Sequence, residues 1–132
     1  MKKQLLLFLF WCFGGIFGQA QNAQTQIENL KNELKTNPNA KRTATIYSDL
    51  TWYYANVSTD SALAYGKKAI SESTRLGDST LIAQVYSDLG AVYFTKGDIN
   101  ASKNSFLTSM EIRKAQKDFP GIAKLNANLA NI

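Results

Sequence analysis

The chain has 132 residues, the size of one ordinary domain, with 15 Lys and Arg against 10 Asp and Glu. It holds no histidine and a single cysteine, which excludes an imidazole base and a Cys/His metal site. The basic residues are scattered along the chain, so nucleic-acid binding is not expected. The aspartates stand singly, so hydrolysis by a pair of carboxylates is not expected either. We therefore predict a non-enzymatic chain with no cofactor and no metal.

Residues 1–20 have the order of a secretory signal peptide. Two lysines precede an apolar run over residues 5–17 that is short for a membrane span, and small residues follow. We expect cleavage after Ala20 and export, into the periplasm, with an uncleaved signal anchor as the alternative. A lipoprotein anchor at Cys12 is disfavoured because Trp11 stands where a small residue is needed. Cleavage would leave no membrane span and a charge of +3, from 13 basic and 10 acidic residues (15 − 2 = 13).

A leading helix with its linker is predicted over residues 21–39. Ile27, Leu30 and Leu34 share one helical face, with Glu and Lys opposite. Pro38 ends this helix, because proline disfavours helical geometry in the residue before it.

Five more helices follow, separated by stop and start signals. They are expected over residues 40–56, 61–76, 79–95, 99–116, and from 118–121 to the chain end at 132. Gly77 and Gly97 supply left-handed residues after two of them, and residues 58–60 and Asp78 offer N-caps. No stretch alternates as a strand would, so the predicted fold class is all-α.

The tetrapeptide YSDL occurs twice and marks an internal repeat. Tyr47 and Tyr86, which open the two copies, are 39 residues apart, and Asn126 follows after a further 40. The second copy continues as Tyr-x-x-Leu-Gly-x-x-Tyr and is followed by Ser-x-x-x-Phe at Ser102 and Phe106. This pattern resembles the tetratricopeptide repeat (TPR), in which two antiparallel helices form each unit.

The resemblance implies a short solenoid of stacked antiparallel hairpins. Hairpin 1 would occupy residues 40–77 and hairpin 2 residues 78–117, while residues 118–132 form the first helix of an incomplete third hairpin. Small residues such as Gly90 let the two helices of a hairpin approach closely. Tyr and Leu of YSDL would pack at that crossing, whereas Ser and Asp would face outward with little chemical role.

In this family the first helix of each hairpin lines a concave groove that receives a peptide or a partner helix. The positions that the resemblance places on the groove are mostly small, polar and uncharged, so no strongly acidic or basic ligand is expected. They are Thr45, Ser48, Trp52, Asn56, Gln84, Ser87, Ala91, Phe94, Lys124, Ala127 and Asn131.

Trp52 has two interpretations. An exposed tryptophan would be the natural anchor for a partner. The alternative, which we favour from the sequence, is that it packs against the leading helix at Leu30 and Leu34. Phe94 is likewise expected to belong to the core.

Two function classes remain open. One is an exported, non-enzymatic scaffold that binds a protein or peptide. The other is the exported sensory part of a longer membrane-bound signalling protein, because segments such as DSALAYGKKAI resemble the periplasmic N-terminal TPR regions of Bacteroidetes sensor kinases and helix-turn-helix regulators. Since the apolar stripe on the last helix (Ile122, Leu125, Leu129 and Ile132) has no following helix to cover it, we expect the chain to be the N-terminal piece of a longer protein.

Overall fold

The structure is a computed structural model that describes residues 22–132. The predicted signal peptide and its cleavage site lie outside the described residues. The described part of the chain forms six helices and contains no strand. The helices are α1 (22–34), α2 (Ala40–Tyr54), α3 (Thr59–Leu76), α4 (Ser79–Lys96), α5 (Ile99–Ala115) and α6 (Phe119–Leu129).

The helices pack as successive antiparallel hairpins. The most extensive contacts join α2 with α3 and α4 with α5, and further contacts stack α3 on α4 and α5 on α6. The predicted all-α fold of stacked hairpins is therefore confirmed. The predicted ends of α2 to α5 agree with the structure to within two residues, whereas α6 stops at Leu129 and not at the chain end.

The linkers after α3, α4 and α5 share one local geometry. Each has a residue with positive φ followed by an aspartate that accepts a hydrogen bond from the backbone N–H three positions on, as an N-cap does. The pairs are Gly77 with Asp78, Gly97 with Asp98, and Lys117 with Asp118. Two of these linkers were predicted from their glycines, and the third uses a lysine in the same backbone conformation.

The second hairpin closes through small residues, as the repeat pattern predicts. A Cβ on Gly90 would lie 2.6 Å from the Phe106 ring, so only glycine leaves room for that ring. Ser102 donates its hydroxyl to the Gly90 carbonyl at 2.7 Å, and Ser109 donates to the Ala83 carbonyl at 2.6 Å. These buried hydroxyls hold α5 directly against the backbone of α4.

The first hairpin fills the corresponding space differently. A Cβ on Gly66 would lie 2.5 Å from a methyl carbon of Leu89, so this glycine receives a side chain of the next hairpin. Within the hairpin, Tyr65 stacks on Tyr54 with ring centroids 5.5 Å apart and lies 6.0 Å from Tyr47. Aromatic stacking therefore replaces the glycine–phenylalanine contact of the second hairpin.

The leading helix covers the open side of the first hairpin. Ile27 and Leu30 of α1 form a buried cluster with Ile46 and Leu50 of α2, and Leu34 packs against it. The apolar face predicted for this helix is thus the face that it buries.

Candidate functional site

Helices α2 and α4 are the first helices of the two hairpins, α6 follows them in the stack, and side chains from all three meet in one cleft. Its volume is about 280 Å³. We call it the central cleft, and it is lined by Ser48, Asp49, Trp52, Tyr53, Gln84, Asp88 and Lys124.

Trp52 lies on the wall of the central cleft, with 57% of its surface exposed. The interpretation that it packs against Leu30 and Leu34 is therefore wrong. Ile46 and Leu50 are the buried residues of α2 that pack against the leading helix. Two positions further on, a helical residue has turned by about 200°, so Trp52 points away from α1.

Phe94 is also not a core residue. It is 46% exposed and lines a second depression, of about 220 Å³, together with Ala91 and Asn131. It lies in the last turn of α4, and no residue of α2 lines that depression.

The polar residues of the YSDL repeats are the largest departure from the sequence interpretation. Ser48 and Ser87 are buried, and Asp88 is only 6% exposed. The expectation that Ser and Asp face outward is therefore wrong for both serines and for Asp88, whereas 42% of the Asp49 side chain is exposed. Neighbouring units of the stack cover a face that would be open to solvent in a single hairpin. Asp49 and Asp88 both line the cleft between the units.

Asp88 is held by a hydrogen-bond chain that crosses from α4 to α5. Its carboxylate accepts a hydrogen bond from the Gln84 side-chain Nε2 at 2.9 Å, and the side-chain Oε1 of Gln84 accepts one from the Arg113 guanidinium at 3.1 Å. Arg113 in turn forms an ion pair with Asp118, the N-cap of α6. These hydrogen bonds fix the orientation of the Asp88 side chain but do not provide it with a counter-ion.

Burial raises the pKa of Asp88 to about 7. The Gln84 hydrogen bond and the positive charges of Lys124 and Arg113 act in the opposite direction, and the negative charge of Asp49 adds to the rise. The effect of desolvation on the pKa is larger than that of the positive charges, because no cation among the described residues forms an ion pair with the Asp88 carboxylate.

Asp49 occupies the equivalent place on α2 and is more open. Burial is the largest cause of its raised pKa, opposed by Arg42 and assisted by Glu33. Arg42 lies 3.9 Å from the Asp49 carboxylate but forms its short hydrogen bonds, of 2.6 and 2.7 Å, with Glu33. Asp49 is therefore only weakly paired.

The structure brings eight of the eleven predicted groove residues to three neighbouring depressions. Four of the residues lie in the central cleft: Ser48, Trp52, Gln84 and Lys124. Three more (Ala91, Phe94 and Asn131) lie in the second depression, and Thr45 joins Gln84 in a third of about 310 Å³. The remaining three line none of these depressions, because Ser87 is buried while Asn56 and Ala127 are exposed elsewhere. That a peptide binds along this surface stays a prediction.

Sequence reasoning missed the two carboxylates of the central cleft. The lining was expected to be mostly uncharged, with Lys124 as its one charged member, whereas Asp49 and Asp88 face the same space as well. One signal was available, since the aspartate recurs at the same position of both YSDL copies. The spacing alone could not show that the two copies come together across a stack.

Two absences within residues 22–132 bear on the chemistry of the site. No group of three or more acidic side chains gathers as a metal site within residues 22–132. None of the helices in that range combines the length and the apolar character that a membrane span requires.

Residues 19–118 match the family described as the SusR N-terminal TPR domain, a TPR-type family found in Bacteroidetes proteins. The match covers both complete hairpins and ends just before α6. No curated protein and no solved structure matches the chain. The family match confirms the resemblance to the TPR that was drawn from the repeat pattern.

Proposed function

Because the chain belongs to the family of SusR N-terminal TPR domains, we propose that it is a non-enzymatic scaffold that binds a protein or peptide partner across α2, α4 and α6. TPR-type domains are protein-interaction modules, and the first helices of their hairpins offer the binding surface. The partner is a segment of polypeptide and not a nucleic acid, since the basic residues do not form a stripe.

The observation that carries this proposal is the exposed Trp52 in the central cleft. Tryptophan is among the residues that contribute most to binding at protein interfaces when a partner covers it. Trp52 is 57% exposed on the wall of the cleft, so packing within the fold uses less than half of its surface. It supports the cleft as the place where a partner docks.

A displayed library of random peptides, selected on the full chain, tests this proposal. Trp52→Ala should weaken binding of the selected peptides by about tenfold or more without changing the thermal unfolding midpoint. Phe119→Ala is the matched control, because Phe119 is 72% exposed and lines none of the three depressions. Selected peptides that bind the Trp52→Ala protein as tightly as the original would contradict the proposal.

The second candidate function is that of an exported sensory segment of a longer signalling protein, a membrane-bound histidine kinase or a DNA-binding regulator. The family description favours it, since it assigns this TPR domain to the N-terminal part of SusR. The signal-peptide pattern of residues 1–20 supports export to the periplasm.

An epitope tag inserted at the chromosomal locus, in the exposed linker around Gly97, tests this candidate. The tagged product should be larger than the 14.6 kDa of this chain plus the mass of the tag. It should lie in the membrane fraction, with the tag open to protease added outside the cytoplasmic membrane. A cytoplasmic product with the mass of this chain plus the tag would contradict both export and the longer protein.

A further inference from the structure

Asp88 is a buried carboxylate that the protein satisfies only in part. One of its oxygens accepts from Gln84, and no second donor and no ion pair reaches the carboxylate among residues 22–132. Every fully hidden side-chain nitrogen or oxygen in that range has a hydrogen-bond partner. The second oxygen of Asp88 therefore keeps access to the central cleft that the residue lines.

The walls of the central cleft suit a positive charge. The Trp52 and Tyr53 rings line it beside the two carboxylates, and aromatic faces attract cations. The cleft is open to solvent on one side, so a cation that enters it loses part of its water and needs charged partners in return.

The charges around the central cleft leave a net negative site. Asp49 and Asp88 contribute −2 and Lys124 contributes +1, which gives −1 for the lining residues at a pH where all three are ionised. The two nearby arginines are engaged elsewhere, Arg42 with Glu33 and Arg113 with Asp118. Neither neutralises Asp88.

We propose that the central cleft selects a basic residue of the bound peptide, with the lysine or arginine cation held between Asp49 and Asp88 and against the Trp52 ring. This inference rests on the proposed peptide-binding function and names its preferred side chain. Lys124 opposes the incoming cation and so limits the affinity.

Four pools of capped, labelled heptapeptides test the proposal, and they are identical except for a central Lys, Arg, norleucine or Glu. Binding to the full chain is measured by fluorescence anisotropy at about pH 8, where Asp88 is ionised. The Lys and Arg pools should bind about tenfold more tightly than the norleucine pool, and the Glu pool most weakly.

Three substitutions locate the selectivity. Asp88→Asn should bring the Lys pool to within about threefold of the norleucine pool, and Lys124→Gln should tighten binding of the Lys pool by about threefold. Asp60→Asn is the control, because it removes a carboxylate that pairs with Lys96 outside the cleft. It should leave all four affinities unchanged.

The outcomes separate this inference from the proposed function. If the norleucine pool binds as tightly as the Lys pool, and Trp52→Ala weakens both, peptide binding stands and the charge selection is wrong. If the Glu pool binds most tightly and Lys124→Gln weakens it, the cleft recognises an anion and the proposal is overturned. If no pool binds, the proposed function fails as well. Should Asp88→Asn lose its cooperative thermal transition, Asp49→Asn makes the same test at the more exposed carboxylate.

Discussion

At the scale of single residues, the two YSDL copies show that one tetrapeptide can have two environments. Asp49 sits on α2 near the edge of the stack and has Arg42 at 3.9 Å. Asp88 sits on α4, which α2, α3 and α5 all contact, and it is almost entirely buried with no counter-ion among the described residues. The difference lies in the neighbours, since the local sequence is the same.

The raised pKa of Asp88 makes stability depend on pH. Its folded pKa of about 7 is above the ordinary value of 3.8, so the folded state binds the proton more tightly than the unfolded state. The ionised carboxylate destabilises the fold fully above about pH 7, and the protein regains that stability as the pH falls from about 7 towards 4.

Asp88→Asn should therefore raise the free energy of unfolding by about 1–3 kcal/mol at pH 8 and have almost no effect at pH 4, as measured by urea denaturation. Asp60→Asn is the control, because the pKa of Asp60 is lowered whereas that of Asp88 is raised. The hydrogen bond from Lys96 lowers the pKa of Asp60, so its removal should not stabilise the protein at either pH. An equal gain for Asp88→Asn at both pH values would show that burial of the charge is not the cause.

Lys117 is a second residue whose local geometry makes a prediction. Its φ of 56° places it in the left-handed region, at the point where the two preceding linkers have Gly77 and Gly97. A side chain in that conformation costs about 1 kcal/mol, so Lys117→Gly should raise the free energy of unfolding by about 0.5–1 kcal/mol in urea denaturation.

Lys117→Ala removes the same charge but keeps a Cβ, and it should leave stability nearly unchanged. The reverse change, Gly97→Ala, should destabilise by about 1 kcal/mol through the backbone alone, because nothing lies within 4 Å of the added Cβ. If the alanine and glycine substitutions at Lys117 stabilise equally, the effect belongs to the lost charge.

At the scale of elements, the two hairpins pack their helices together with different side chains. In the second hairpin, Gly90 contacts the buried Phe106 ring, and the hydroxyls of Ser102 and Ser109 reinforce this contact. The first hairpin lacks that contact and uses Tyr65 stacked on Tyr54. The repeat therefore keeps the spacing of its units while changing the side chains that fill them.

Gly90→Ala should destabilise the protein by about 1–3 kcal/mol, although alanine favours a helix by about 1 kcal/mol over glycine. The added Cβ would lie 2.6 Å from two atoms of the Phe106 ring, which is itself only 3% exposed and cannot move aside. Thermal unfolding of Gly90→Ala, Phe106→Leu and the double variant forms a complete cycle. The double variant should recover part of the loss, and strictly additive effects would show that the two residues do not crowd each other.

At the scale of the whole molecule, the stack decides which polar residues are buried. Helix α4 has neighbours before and after it and buries residues around most of its circumference, including Ser87 and Asp88. In α6, at the end of the described chain, only Leu125 is buried, while Phe119 is 72% exposed. The central cleft exists because α2, α4 and α6 come together, so it is a property of the array and not of one hairpin.

The sequence by itself determined the helices, their caps and the repeat. These depend on interactions between residues near one another in the chain: the apolar face of α1, the glycines at 77 and 97, the aspartate N-caps, and the 39- and 40-residue spacing of the units. The groove positions came from the resemblance to the TPR family, and eight of those eleven residues line the three depressions.

Only the tertiary structure decided the chemistry of the central cleft. That Trp52 is exposed, that Asp88 is buried, and that Asp49 and Lys124 share one space depends on the angle at which each hairpin stacks on the next. Helical periodicity gives the direction of a side chain relative to its own helix and contains no information about which distant helix lies opposite. Burial and charge pairing, and with them the pKa of Asp88, arise from those distant neighbours.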